Sequence, residues 1–499
     1  MCALADSIVR GETWKLSFCP EPVYGTDPGT TYLNSVFGVV QTMTSPDPEM
    51  EWQPIWALGS ASTRNFYINY KGRLNLVGSI PDVWILEGTP LYLPIGTMAT
   101  VGTDSGAGGS TVAAYDSVLT ANCMTGATTC AVTSATRFHE GQLVTLYDST
   151  PSTQNVTITD ITDLVVTFTP AATDDFTTVA SAVLRTRETY PGDTIIDVAD
   201  GTGYLTDDYI QTGETTVAEV RKITNVATNT ITLDYPLLFH HLVGAVCNEV
   251  ISPYTHTISE ASRLGSITLQ HEMFDSDGNS ELIRRWSGGK IGRATYSGSE
   301  GEELKMSLDE IIFRSYAVDG DSGVATATLD YPTTQPFIFS YGALTLWGTE
   351  FARIRNFSID VGNALEPRYY VTNDATARLP YEIHEGRREY RVGVTLDITD
   401  STLFDELNKF GTNQGTAVDG LFKGFDMAVT FTRGAGDTIT FTLPPSAAAA
   451  GGDAQGLFIR SAKHNIVTDP QVSVPLDLIA RSMKITVVNS IANMFNQIV

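Results

Sequence analysis

Apolar and polar side chains alternate from residue 389 to residue 398. Tyr390, Val392, Val394, Leu396 and Ile398 fall on one face, and Arg391, Thr395 and Asp397 on the other. A period of two predicts an antiparallel strand with one buried face. The period then changes. Asp400 or Ser401 is placed to cap a helix whose apolar positions are Leu403, Phe404, Leu407 and Phe410, and Gly411 ends it. Residues 384–411 thus predict a strand with one short helix laid against its sheet. The four apolar helix residues are expected to pack that sheet, so that Leu407→Asp would unfold it.

The rest of the chain reads mostly as strands. Trp14, Leu16 and Phe18 alternate with Lys15 and Ser17, and residues 21–32 and 45–54 have loop composition. A strand at 65–70, a turn at Lys71-Gly72 and a second run through Leu74, Leu76 and Ile80 come next. Pro81 opens a short helix-like segment that Gly88 closes. This layout echoes that of 384–411. Further on, residues 266–274 predict a strand. Residues 293–297 and 303–313 predict a hairpin across 298–302, and 427–433 with 437–443 predict another across a Gly-Ala-Gly turn. Strands at 337–339, 354–361, 457–462 and 483–488 complete the set, with an alanine-rich loop at 444–456.

Residues 101–114 have linker composition. An internal repeat follows, with Ile161 matching Ile223, Pro170 matching Pro236, and Ala182-Val183 matching Ala245-Val246. The expected fold is all-β with one or two short flanking helices. One sandwich or barrel module spans 1–100 and 252–318, and a similar one spans 335–499. Two small tandem β domains, 115–187 and 188–251, are inserted in the first.

Composition narrows the function. The net charge is −26, nine lysines accompany 22 arginines, and no lysine lies between Lys71 and Lys222. Such a chain repels polyphosphate, which argues against sequence-specific nucleic-acid binding. The acidity suits a concentrated assembly, a passage to which DNA must not stick, or a salty host. No stretch approaches the roughly 20 apolar residues of a membrane helix. The N-terminus lacks a signal-peptide layout, so assembly inside a cell is expected. Cys2, Cys19, Cys123, Cys130 and Cys247 form no zinc spacing; buried thiols are expected, with a Cys123–Cys130 disulfide as the alternative.

Candidate chemistry is sparse. Gly320-Asp321-Ser322-Gly323 spells a serine-protease nucleophile loop, but none of His139, His240, His241 and His256 upstream has the matching context, and a turn is the better reading. Asp275, Asp277 and Asn279 alternate as in calcium loops, without the glycine at the sixth place or the glutamate at the twelfth. His139-Glu140 and His240-His241 end the two small repeats but lack zinc spacing. Phe138, Tyr147, Tyr204, Tyr209 and Phe239 are candidates for stacking on sugars. Arg387, Arg388 and Arg391 form the densest basic spot, either as solvated strand charges or as partners for an acidic neighbouring subunit. No catalytic residue, cofactor or metal site is expected.

The opening arm with EPVYGTDPG, the strand–helix unit, SITLQHEM, GKIGRATYSGSEGEELKMSL and FSIDVGNALEPRYY with its final hairpin together resemble tail tube proteins of long-tailed bacterial and archaeal viruses. The likeness covers 1–100 and 252–499, in the two-module form. It implies modules that join sheet edges into rings, with three chains giving a pseudo-sixfold ring, and rings that stack into a hollow virion tube. The implied partners are further copies of the chain, a tape-measure protein, tail terminator and distal tail proteins, and genomic DNA passing through the bore without specific binding. The 115–250 insertion resembles decoration on tube exteriors. Another tail, neck or distal-tail ring component, or a glycan-binding virion adhesin using 115–250, are the alternatives.

Overall fold

The computed structural model describes residues 14–55, 68–149, 152–274, 280–329, 331–346, 349–351, 354–370, 378–397, 425–434, 436–444, 456–461, 473–492 and 494. They form two compact units, one drawn from Met1–Met98 and His256–Asn489 with residue 494, the other from Ala99–Thr255 with Ser490–Asn493. The fold is all-β. The helices among the described residues are 3-10 turns of three or four residues. The expected helix with Leu403, Phe404, Leu407 and Phe410 lies outside the described residues.

The larger unit is organised by a long sheet in which eight strands follow one path: Val39–Val40, Val77–Trp84, Lys305–Ile312, Ser280–Ser299, Ile354–Gly362, Glu389–Asp397, Ser473–Ala480 and Phe458–Ser461. Every neighbouring pair is antiparallel. The alternation read at 389–397 has its physical cause here. Tyr390, Val392, Val394 and Leu396 are buried, and both edges of this strand are hydrogen-bonded, to Ile354–Gly362 and to Ser473–Ala480. A second sheet carries Lys484–Asn489, Asp437–Leu443, Met427–Gly434 and Gly342–Leu346. Between the sheets lies an aromatic core in which the Phe357 ring is 5.4 Å from that of Phe431 and 6.3 Å from that of Phe441. Strand Trp14–Pro20 pairs with Ile267–Phe274, which pairs in turn with the first half of Ser280–Ser299. Both hairpins read from the sequence are present: Ser297 faces Lys305, and Met427 faces Leu443.

Several expectations are corrected. Residues 45–54 are not all loop, because Glu49–Ile55 is a strand paired with Ile68–Asn75. Lys71-Gly72 is accordingly no turn. Gly72 and Arg73 oppose Glu51 in a bulge, where a Cβ on Gly72 would come 2.7 Å from the Glu51 carbonyl oxygen. The helix-like segment after Pro81 continues strand Val77–Trp84. Pro81 and Asp82 oppose Ser307 in a second bulge, with Asp82 at φ 56°, and a proline without an N–H is tolerated at such a site.

A further correction falls in the smaller unit. Residues 101–114 belong largely to strand Gly96–Thr111, not to a linker. A Cβ on Gly102 would lie 2.7 Å from Val250 and 3.0 Å from the Tyr254 ring, and one on Gly108 would lie 3.0 Å from the Tyr204 ring. These glycines make room for side chains packed flat on the strand; they do not confer flexibility. The unit holds two sets of strands with one topology. In the first, Thr129–Ala131, Val165–Thr169, Thr153–Thr162, Leu143–Tyr147 and Val183–Thr186 are successive neighbours. In the second, Ile195–Asp197, Thr230–Leu233, Glu219–Ala227, Tyr209–Thr212 and Val246–Glu260 follow the same order. Even the bulge recurs, after Ile158 in one and after Ile223 in the other. The structure thus matches Ile158, rather than Ile161, to Ile223.

Candidate functional site

The long sheet of the larger unit has one face that is more open than its buried face. This open face is built from the residues that alternate with the core: Thr295 and Ser297, Ser358 and Asp360, Arg391 and Gly393, and Asp477. Hydroxylated, glycine and charged positions alternate along it, and Ile479, opposite Arg391, adds an exposed apolar side chain. Its cations do not stand free. Arg293 lies 3.9 Å from Asp360, Arg391 3.5 Å from Glu389, Arg355 2.9 Å from Asp397 and Arg460 3.7 Å from Asp477. Exposed pairs of this kind add little stability, but they cancel charge locally. The acidity of the chain is therefore not spread evenly over this face.

Arg387, Arg388 and Arg391 lie at the start of strand Glu389–Asp397, in three different settings. Arg387 is exposed. Arg391 is on the open face. Arg388 is half-buried and donates to the Asn363 Oδ1 at 2.9 Å and the Ala261 carbonyl at 3.3 Å, which ties it into its own chain. Close by, Lys290 meets Glu385 at 2.6 Å and sits 4.5 Å above the Tyr24 ring. Burial raises the Glu385 carboxyl, but Lys290 outweighs it and holds the group below its ordinary range.

The other candidates find structural roles. Ser322 is exposed in a turn where Asp321 accepts from the Val318 N–H and the Gly323 carbonyl accepts from Arg285. The histidines are engaged elsewhere: His139 with Asp193 at 2.7 Å, His241 with Glu219 at 2.8 Å, and His256 with Asn489 at 3.0 Å. Asp275, Asp277 and Asn279 lie outside the described residues. Among the described residues no three His, Cys, Asp or Glu side chains converge as a metal site. Cys19, Cys123, Cys130 and Cys247 are free and buried, so Cys123 and Cys130 are not bridged.

Of the five aromatics read as candidates for stacking on sugars, two are core, and Tyr147, Tyr209 and Phe239 are half-buried. Phe138 and Tyr204 are only 4% and 3% exposed, in the cores of the two strand sets, and Tyr204 donates its hydroxyl to the Cys247 carbonyl. Arg185 covers Tyr147 at 4.6 Å, and Tyr209 packs against Tyr254. Tyr147 and Tyr209 lie in strands, whereas Phe138, Tyr204 and Phe239 lie in the connections between them.

Sequence reasoning missed a buried carboxylate. Glu21 receives four hydrogen bonds, from the Gly25 and Gly288 N–H groups and the Ser266 and Thr268 hydroxyls, at 2.6–2.7 Å. Burial raises its pKa, and these donors offset part of that. The signal was its place in a Pro/Gly-rich loop, where an acidic residue usually reads as solvated.

No curated protein matches this chain. A family described as "Phage tail tube protein" matches residues 12–477. That span takes in nearly the whole molecule, and the chain belongs to the phage tail tube protein family.

Proposed function

We propose that this chain closes into rings by joining the two ends of its long sheet, and that stacked rings form the hollow tail tube of a long-tailed virus. The observation that carries this is the eight-strand path. Among the described residues it ends at Val39–Val40 on one side and Phe458–Ser461 on the other. Unpaired edges invite another strand. Because the path has an even number of antiparallel strands, its last strand runs opposite to its first. A copy rotated about an axis along the strands therefore presents its first strand antiparallel to that last one, and the alternation continues without a break.

Four of the eight strands come from residues 39–84 and 280–312, and four from 354–480. Each quartet is one module, so the contact of Ser280–Ser299 with Ile354–Gly362 is the intramolecular counterpart of the contact between chains. Three chains then supply six quartets and a pseudo-sixfold ring. At ~4.8 Å per strand their perimeter is ~115 Å, a backbone diameter of roughly 37 Å before tilt widens it. The open face would line the bore. Among the described residues its cations are all paired with carboxylates, which suits passage of DNA without binding, and of the tape-measure protein before it. Tail terminator and distal tail proteins would cap the tube, with assembly in the host cytoplasm. The role is structural, without catalysis.

Negative-stain imaging of the purified chain tests this. Rings or tubes with a bore of a few nanometres are expected. Soluble monomers at every concentration tried would sink the reading.

A further inference from the structure

The register of the long sheet gives it two unlike rims. Val77, Ile312, Lys290, Glu389 and Ala480 lie toward one, and Trp84, Lys305, Ser297, Asp397 and Ser473 toward the other. At the first rim Arg314 follows Ile312, Arg387 precedes Glu389 and Arg481 follows Ala480. None of the three has an ion pair among the described residues. Arg387 and Arg481 are exposed, and Arg314 is half-buried over the rings of Tyr24 and Tyr381, at 5.7 and 5.5 Å. At the opposite rim Glu300-Gly301-Glu302-Glu303 makes the turn out of strand Ser280–Ser299. Glu302 is satisfied by Lys305 at 3.4 Å and Ser299 at 3.2 Å. Glu300 and Glu303 have no cationic partner among the described residues, and Glu300 is exposed.

The rims are a strand length apart, ~25–30 Å at ~3.3 Å per residue. That is about three Debye lengths at physiological salt, so the two groups cannot neutralise each other within one chain. They can do so between chains arranged head to tail. Such a contact joins two different surfaces and does not close on itself, so it propagates without limit along one axis.

We propose that the acidic turn 300–303 of one copy seats against Arg314, Arg387 and Arg481 of a copy in the next ring, and that this charge match sets the polarity of stacking. The inference rests on the ring reading above. Arg314 is the rigid member, held between two tyrosines as interface arginines commonly are. Arg387 and Arg481 are the adaptable ones.

Two full-length variants test it: Arg387→Glu with Arg481→Glu, which makes both rims acidic, and Glu300→Lys with Glu303→Lys, which makes both basic. Each alone should still form rings by sedimentation but raise the protein concentration needed for tubes roughly tenfold or more, since like charges then meet. Mixed together the two variants should form tubes again, and wild-type tubes should shorten in ~1 M salt, where the Debye length is about 3 Å. Tubes unaffected in either variant, or no rescue on mixing, would overturn the inference while leaving the rings intact. Loss of tubes in the arginine variant alone would assign those arginines to DNA or another partner, and so also overturns it. Wild-type protein that forms no ring overturns the underlying reading as well.

Discussion

The seam between the two quartets can be tested at a single pair. Gly298 faces Phe357 across the ladder that joins Ser280–Ser299 to Ile354–Gly362. A Cβ on Gly298 would lie 2.8 Å from the Phe357 Cε1 and 2.9 Å from the Phe339 Cδ2. Real contacts of this kind need another half ångström or more, so both rings must move. Phe357 has little room, being 2% exposed and packed against Phe339, Phe431 and Phe441. Gly298→Ala would gain ~0.5–1 kcal/mol from the lost glycine flexibility. With two rings to displace, overpacking falls in the upper part of its usual range, ~2–3 kcal/mol, so the net expectation is a loss of about 1–2.5 kcal/mol. Phe357→Ala should cost ~3–5 kcal/mol. In the double variant one of the two clashes has gone, so the combined loss should fall short of the sum by about 1 kcal/mol. Urea unfolding followed by tryptophan fluorescence is the assay. All six tryptophans, at positions 14, 52, 56, 84, 286 and 347, lie outside 99–255, so this signal is blind to the smaller unit. Losses that add to within ~0.3 kcal/mol, or a Gly298→Ala chain as stable as wild type, would refute the close packing of the seam.

Other outcomes follow from buried polar groups. Glu21→Gln should destabilise the larger unit by ~2–3 kcal/mol in the same assay, because an amide turns its own donors toward some of the four donors that now meet a carboxylate. In the smaller unit burial raises the Glu219 carboxyl, but Arg221 and His241 outweigh it and leave the folded pKa below the ordinary value of 4.5. Its contribution is therefore complete above about pH 4.5 and is lost as pH falls through the lower folded value. Far-ultraviolet dichroism melts from pH 6 to pH 3 should show this loss, and Glu219→Gln should flatten the acid limb. Tyr204→Phe should cost the smaller unit ~1 kcal/mol through the hydrogen bond to the Cys247 carbonyl, read as a lower melting temperature of that transition. Arg388→Ala should lower the stability of the larger unit measurably, since it loses bonds to Asn363 and Ala261, whereas Arg387→Ala should not.

Much of this fold was legible because its determinants are local. The alternation of Tyr390, Val392, Val394 and Leu396 names a half-buried strand whatever its neighbours are. The turns at 298–302 and 434–436 name hairpins through their glycines, and the family resemblance rested on such local runs. Bulges were not legible. Pro81 and Gly72 read as breakers in isolation, yet each sits where a paired strand has one residue too many. Gly102 and Gly108 read as linker because a missing side chain looks the same whether it confers freedom or makes room for Tyr254 and Tyr204.

The sequence by itself determined the β class, the tandem strand sets and the arginine spot at 387–391, since period, repeat and charge are carried by neighbouring residues. Only the tertiary structure decided that Ser280–Ser299 joins Ile354–Gly362, so that one sheet runs through both halves of the larger unit. It alone decided that Phe138 and Tyr204 are core, that most charges on the open face are paired, and that Arg387 and Glu300 end up on opposite rims. The physical reason is range. Those facts depend on which distant strands pair and in what register, as when the Tyr296 hydroxyl meets the Leu91 carbonyl 205 residues away, and a one-residue slip would turn every such side chain to the other face.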